Sequence, residues 1–178
     1  IKSHKLFTKK DHVNTLALDP DGRSLWAVLH NLGPSKLMQI DLQSSAVIRQ
    51  FQNIGLRSHG CAFWRGGIVL LDSDHGGVIL VDPATGAVLP VWTDPAVGFL
   101  KGLVVVADVA YIGINAPLAR KERDSKSLPS EIAAVDLVAH RLLWRKTVPT
   151  NGLLNIVAAP HLSISSTYHA VPAWTPSD

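Results

Sequence analysis

One short pattern, written three times, constrains this chain more than anything else in it. Residues 36–41 read KLMQID, residues 77–82 read GVILVD and residues 131–136 read EIAAVD. Each apolar run ends on an Asp, crosses a polar turn and resumes as AVIRQFQ, AVLPVWT or RLLWRKTV. Asp41 and Asp82 lie 41 residues apart, and Asp136 follows 54 residues later. Ahead of each hairpin stands another pair of apolar runs, in NTLALDPDGRSLWAVLHN, GCAFWRGGIVLLDSDH and GLVVVADVAYIGINAP. Tight turns at Pro20-Asp21-Gly22, Arg65-Gly66-Gly67 and Ala107-Asp108 join those pairs, which makes each a hairpin. A further unit begins at NIVAAPHLSISSTYH. Each complete unit is thus a four-stranded antiparallel meander.

The runs are short and rich in Val, Ile, Leu and Ala, with Gly or Pro in most connections, and no segment sustains a helical period. A meander that is apolar on both faces is unstable alone and must bury each face against a neighbour. A period near 40 with four strands per unit is the WD40-like and YVTN-like spacing of propeller blades. The expected fold class is therefore all-β, built of β-propeller blades over residues 1–178 as one partial domain. Three full blades occupy about 12–54, 57–95 and 99–149, and part of a fourth occupies 150–178. Known propellers usually close with about four to eight blades, so the chain reads as a fragment of a larger closed ring. The remaining blades are expected from the same protein or from a protein partner, because open apolar edges aggregate. The N-terminal KLFTKK is a candidate outer strand for the last blade. In the turn Asp82-Pro83-Ala84-Thr85-Gly86, Asp82 is expected to accept backbone N–H groups and Gly86 to supply a positive φ.

Composition removes several classes. With 47% hydrophobic and 17% charged residues the chain folds rather than remaining disordered. A net charge of +3 does not indicate a nucleic-acid surface, and none is expected as partner. The single cysteine, Cys61, excludes an intrachain disulfide and sits in the apolar run CAFW, where a buried thiol is expected. No run approaches the ~18 apolar residues of a membrane span, and IKSHKLFTKKDH lacks the apolar core of a secretory signal. The expectation is a soluble chain whose compartment stays open. It does not begin with Met, so targeting segments can have been removed.

The stretches LDPDGRSLW and VDPATGAVL resemble the broad propeller group that includes NHL, YVTN-type and SMP-30/gluconolactonase-like proteins. More narrowly, SHGCAFWRGGIVLLDSDHGGVILVDPATG and GLLNIVAAPHLSISSTYHAVP resemble a bacterial-type propeller family without an assigned function. The resemblance implies blades and says almost nothing about chemistry. SMP-30-like enzymes hold a divalent metal with carboxylates and amides at the axial mouth. Asp74, Asn115 and Asn155 stand at comparable places, but no Glu occupies any mouth position.

Blade topology places the candidate residues. With the first strand innermost, the approach to the first strand and the loop after the second open on one axial face. The approaches carry His12, Asn14, His59, Lys101, Asn151 and Asn155, and the loops carry His30, Asn31, Asp74, His75, Asn115 and Tyr168. Imidazoles, amides and one carboxylate could bind an anionic or sugar-like small molecule, or a divalent metal through His and Asp. His30, His59 or His75 could serve as a general acid or base. The bland alternative is that these side chains satisfy loop backbone groups at strand ends. The Ser73-Asp74-His75 run suggests a hydrolytic pair, yet strand neighbours point to opposite faces and no G-x-S-x-G elbow is present. In the inserted loop 115–131, Arg120 and Arg123 could grip a carboxylate or phosphate, although a mixed-sign run is usually solvated. Trp26, Trp64, Trp92 and Trp144 are expected as wedges between blades, with Trp174 exposed. The function expected from all this is a non-catalytic binding or interaction module with a polar axial face and no cofactor. A metal-dependent lactonase-like hydrolase and a structural subunit of a larger assembly are the alternatives.

Overall fold

In a computed structural model, the structure describes residue 7 and residues 11–30, 33–116, 129–150 and 152–159. Among the described residues, twelve strands form three four-stranded antiparallel sheets. The first sheet holds β1 (Val13–Leu18), β2 (Ser24–Leu29), β3 (Lys36–Asp41) and β4 (Val47–Phe51). The second holds β5 (His59–Trp64), β6 (Gly67–Asp72), β7 (Gly77–Val81) and β8 (Val88–Thr93). The third holds β9 (Phe99–Val106), β10 (Val109–Asn115), β11 (Ser130–Asp136) and β12 (Arg141–Val148). Within each sheet spatial order equals chain order, so these are the three expected meanders. Residues 152–159 carry no regular structure, and nothing beyond them is described. Among the described residues there is no helix, and so none long and apolar enough to cross a membrane.

Alternation along the strands explains why the sheets stack. In β6, Ile68 and Leu70 face the first blade while Val69 and Leu71 face the third, and all four are fully buried. One cluster joins Trp26, Val28, Leu37 and Ile54 to Ile68, Leu70, Ile79 and Val81. The other joins Val69, Leu71 and Val78 to Leu100, Ala110, Ile112 and Ala133. A strand apolar at every position is what a middle layer with two covered faces requires, and each such side chain contributes roughly 1.5–3 kcal/mol. β1 lies beside β5 and β5 beside β9, so the first strands converge on one line.

The three outer turns share one solution. The Asp41 carboxylate accepts from the Ser44 amide and hydroxyl at 2.6 Å each. That of Asp82 accepts from the amides of Ala84 at 2.6 Å and Thr85 at 3.1 Å, and that of Asp136 from Val138 and Ala139 at 2.9 Å. These donors hold the three carboxyls below the usual carboxylate value: the Ser44 hydroxyl first for Asp41, and backbone N–H groups for the other two. Gly86 takes φ 76° as expected, and it also leaves room for Phe51, whose ring carbon lies 2.4 Å from where a Cβ would stand.

The Trp expectation holds unevenly. Trp26 is buried, and Trp64 and Trp92 pack against the core between the second and third blades. Trp144 is instead 38% exposed on β12, with Lys146 over its ring, because the outer strand of the third blade presents that face to solvent. Cys61 is half-buried, and burial pushes its thiol up to about 12, which leaves it inert.

Candidate axial groove and its histidine mouth

Each innermost strand carries one extra residue at the same height. Between Val13 and Thr15 the β1 register shifts by one against β2, at Asn14. The same shift falls in β5 between His59 and Ala62 and in β9 between Leu100 and Leu103. A bulge bends a strand and redirects side chains, so three at one height shape a common rim. Glycine lets the next inner strand close in at these points. A Cβ on Gly60 (φ 67°) would stand 2.6 Å from the Leu103 Cβ, and one on Gly102 (φ 82°) would stand 3.0 Å from the Asn155 backbone.

The bulges bound a groove of about 510 Å³ lined by residues 14–16, 59–61, 101–103 and 154–156, three from each of four inner segments. Asn14, His59, Lys101 and Asn155 are thus brought together. Asn14 donates its amide to the Ser58 carbonyl at 3.2 Å, and the Thr15 hydroxyl accepts the Gly60 N–H at 3.2 Å, so β1 is stitched to β5.

At one end the groove meets a row of rings. His12 stacks on His30 with centroids 4.3 Å apart, His30 lies 5.4 Å from His59, and Phe99 meets His59 edge-on at 5.2 Å. His59 Nδ1 lies 2.8 Å from the Arg57 carbonyl and 3.0 Å from Ser73 Oγ. A carbonyl only accepts, so Nδ1 carries the proton and Nε2 of the neutral ring is an acceptor. Burial lowers the His59 pKa to about 4, helped by the positive charge of Lys101. His30 is lowered by burial and then by His12. Neither ring is charged at neutral pH, so neither holds a carboxylate there by charge.

The other candidates are placed apart. Asp74 pairs with Arg57, whose Nε lies 3.4 Å from its Oδ2. His75 turns to Asp72 at 2.9 Å and is largely exposed. Asp74 and His75 sit in the turn 73–76 rather than on a strand, and each has its own partner there. Asn115 is a staple, accepting from Leu153 N at 2.7 Å and Ser130 Oγ at 2.9 Å while donating to the Leu153 carbonyl at 2.9 Å. Among the described residues no group of three or more His, Cys, Asp or Glu is arranged to hold a metal ion. Arg120, Arg123, Asn31, Asn151, Tyr168 and Trp174 lie outside the described residues.

Sequence reasoning missed Arg57 and Phe99. Arg57 sits in LRSHG with φ 50°, just ahead of β5, and Phe99 opens β9. An Arg two residues before a first-strand His was the available signal; Phe99 gave none, since it reads as one more apolar strand residue.

No protein-family model and no curated protein matches the sequence. Among solved structures, the chain is similar to the Dos1 propeller, with TM-score 0.55 and 11% identity over 80% of this chain and 39% of that one. It is similar to the β-propeller domain of Cps50 (Swd1) from Myceliophteria thermophila, with TM-score 0.53 and 14% identity over 80% of this chain and 44% of that one. A chain of the nidogen/laminin complex gives TM-score 0.57 and 13% identity over 75% of this chain and 46% of that one. The fold is that of a β-propeller, and the chain spans less than half the length of these three relatives.

Proposed function

We propose that the chain is a non-catalytic binding module that takes its ligand along the axial groove, with the rest of a propeller ring supplied by further blades of the same protein or by a protein partner. The observation that carries this reading is the convergence of four inner segments on one groove of about 510 Å³, a volume within the range of small-molecule sites. Its rim mixes amide, hydroxyl and ammonium groups with apolar side chains, the composition that fixes a ligand by a few polar contacts on an apolar bed. His59 supports binding rather than proton transfer, because a ring held to about 4 is a poor base at neutral pH.

A small-molecule fragment screen followed by amide 1H–15N shifts tests the reading. Fragments that move Asn14, Gly60, Lys101 and Asn155 together are the expected result. Hits that map only to the outer strands β4, β8 and β12 overturn it.

A further inference from the structure

We propose that the mouth end of β1, residues 12–15, is an acid-released gate on the groove, latched at neutral pH by the His12–His30–His59 row. β1 is the least buried of the three inner strands. It supplies Asn14, Thr15 and Leu16 to the groove, yet none of its residues joins a core cluster, and Val13, Leu16 and Leu18 are exposed. Segments with few buried apolar contacts open first. The entrance is also strained and loosely tied: His12 takes φ 36°, and the backbone bond from the His30 N–H to the His12 carbonyl spans 3.4 Å.

The latch joins three blades. His12 and His30 belong to the first, His59 to the second, and Phe99, whose ring meets His59 edge-on, to the third. His59 is buried with its Nδ1 proton on the Arg57 carbonyl, so a second proton has to sit on Nε2. Burial opposes that proton most, and the charges of Lys101, His30 and His12 oppose it further. At His30 burial, His12 and Arg57 oppose a charge, while Asp74, which is paired with Arg57, favours one more weakly. Of the other acids at this end, Asp11 pairs with Lys36 at 3.7 Å, and Asp72 accepts from the Leu56 N–H at 2.7 Å and meets His75 at 2.9 Å.

An open mouth admits water to the rings and restores His59 toward its ordinary 6.5, so the open form binds more protons than the closed one as pH falls from that value. Charging His12 and His30 together also sets like charges about one ring spacing apart, with centroids at 4.3 Å. The stack then parts at the strained residue, and the mouth end of β1 leaves β5 by giving up the Asn14–Ser58 and Thr15–Gly60 bonds. The two interblade cores are apolar and keep their packing. Resting on the axial-groove reading, a ligand held at neutral pH is released in acid; the gate itself does not depend on that reading.

Amide hydrogen exchange of the full chain, corrected for the intrinsic rate at each pH, tests the gate with no ligand present. Between pH 7 and pH 5 protection at Gly60 and His30 is expected to fall about tenfold while that at Leu70 and Ile112 holds, because only the open form gains the His59 proton in this range. His59→Asn is expected to blunt the fall, and so is His12→Phe, which keeps a ring for the stack at an exposed position. His75→Gln, outside the row, is expected to leave the fall unchanged. Unchanged protection at Gly60 and His30 down to pH 5 overturns the gate, as does protection lost equally at Leu70 and Ile112, which is global unfolding. A fall that persists in both row variants, or that His75→Gln removes, overturns the histidine latch. A groove that takes no fragment overturns the ligand reading and leaves the exchange result standing.

Discussion

The outer turns and the inner bulges are both repeated in all three blades, and they differ in what is repeated. At the outer turns the chemistry is shared: Asp41, Asp82 and Asp136 each gather local N–H groups, and Ser45, Gly86 and His140 each take a left-handed φ, at 59°, 76° and 53°. At the inner bulges only the backbone is shared, while the side chains run from Asn14 through Gly60 and Cys61 to Lys101 and Gly102. A turn that only reverses the chain is solved once and reused. Residues that face a common space are free to differ, and it is their difference that gives a groove polarity.

Substituting glycines breaks this comparison most severely. Gly60→Ala adds a Cβ that meets the Leu103 Cβ at 2.6 Å in a left-handed backbone, and is expected to cost roughly 2–4 kcal/mol. Gly22→Ala, at φ 70° with nothing within 4 Å, isolates the backbone strain at about 1 kcal/mol. Urea midpoints of the two variants measure the gap, and equal losses would show that the inner strands do not close as tightly as the geometry states.

Acid separates the two regions next. His59 is a base whose folded pKa of about 4 lies below its ordinary 6.5, so the folded state binds fewer protons than the unfolded chain between those values. Its contribution is complete above pH 6.5 and is lost as pH falls toward 4, by roughly 2 kcal/mol after allowance for solvent at the mouth. His30, lowered in the same direction, adds to the same fall. The turn carboxylates act later: their pKa values lie below 3.8, so their stabilisation is present above that value and fades as pH drops through the lowered ones. Urea unfolding from pH 8 to pH 3 is expected to show a first decline below 6.5 that His59→Asn, which keeps an N–H donor near the Nδ1 position, reduces. A profile flat down to pH 4 would contradict the buried neutral rings.

A smaller effect is expected where one blade departs from the other two. Ser35 and Ser130 stand six residues before Asp41 and Asp136, and each buried hydroxyl accepts an N–H from the approach to the next inner segment, from Ser58 at 2.7 Å and Gly152 at 2.9 Å. The equivalent residue of the second blade is Gly76, where the Asp94 carbonyl lies 2.3 Å from where a Cβ would stand. Ser35→Ala and Ser130→Ala are each expected to cost about 1–2 kcal/mol by thermal unfolding, since each leaves a donor unpaired.

The repeat was legible because turn chemistry is local. Asp82 with Gly86 reads as a turn from five residues, and three copies at blade spacing define the meanders without reference to anything distant. The groove was legible in part, because Asn14, His59, Lys101 and Asn155 follow from topology, which says which strand ends share a face. What was not legible depends on side-chain reach across blades. Asn115 looked like a ligand residue and is occupied by Leu153 and Ser130, a pairing settled by a chain segment 38 residues away. The bulges were hidden for a similar reason, since an extra residue exists only relative to its partner strand.

The smallest expected effect sharpens the comparison from the outer side. If the three turns share one backbone, the residue four after each Asp should prefer glycine wherever nothing else constrains it. Ser45 occupies φ 59° with a side chain that a left-handed residue carries at a cost of about 1–2 kcal/mol. Glycine removes that strain but gives back about 0.5–1 kcal/mol through the greater freedom of the unfolded chain. Ser45→Gly is therefore expected to raise stability by about 0.5–1 kcal/mol, read as a small upward shift in the urea midpoint. The reciprocal Gly86→Ala loses more than the strain alone, because Phe51 already fills the space its Cβ needs. A stabilised first blade beside a strongly weakened second would show that the turns share a backbone and differ only in what packs against it.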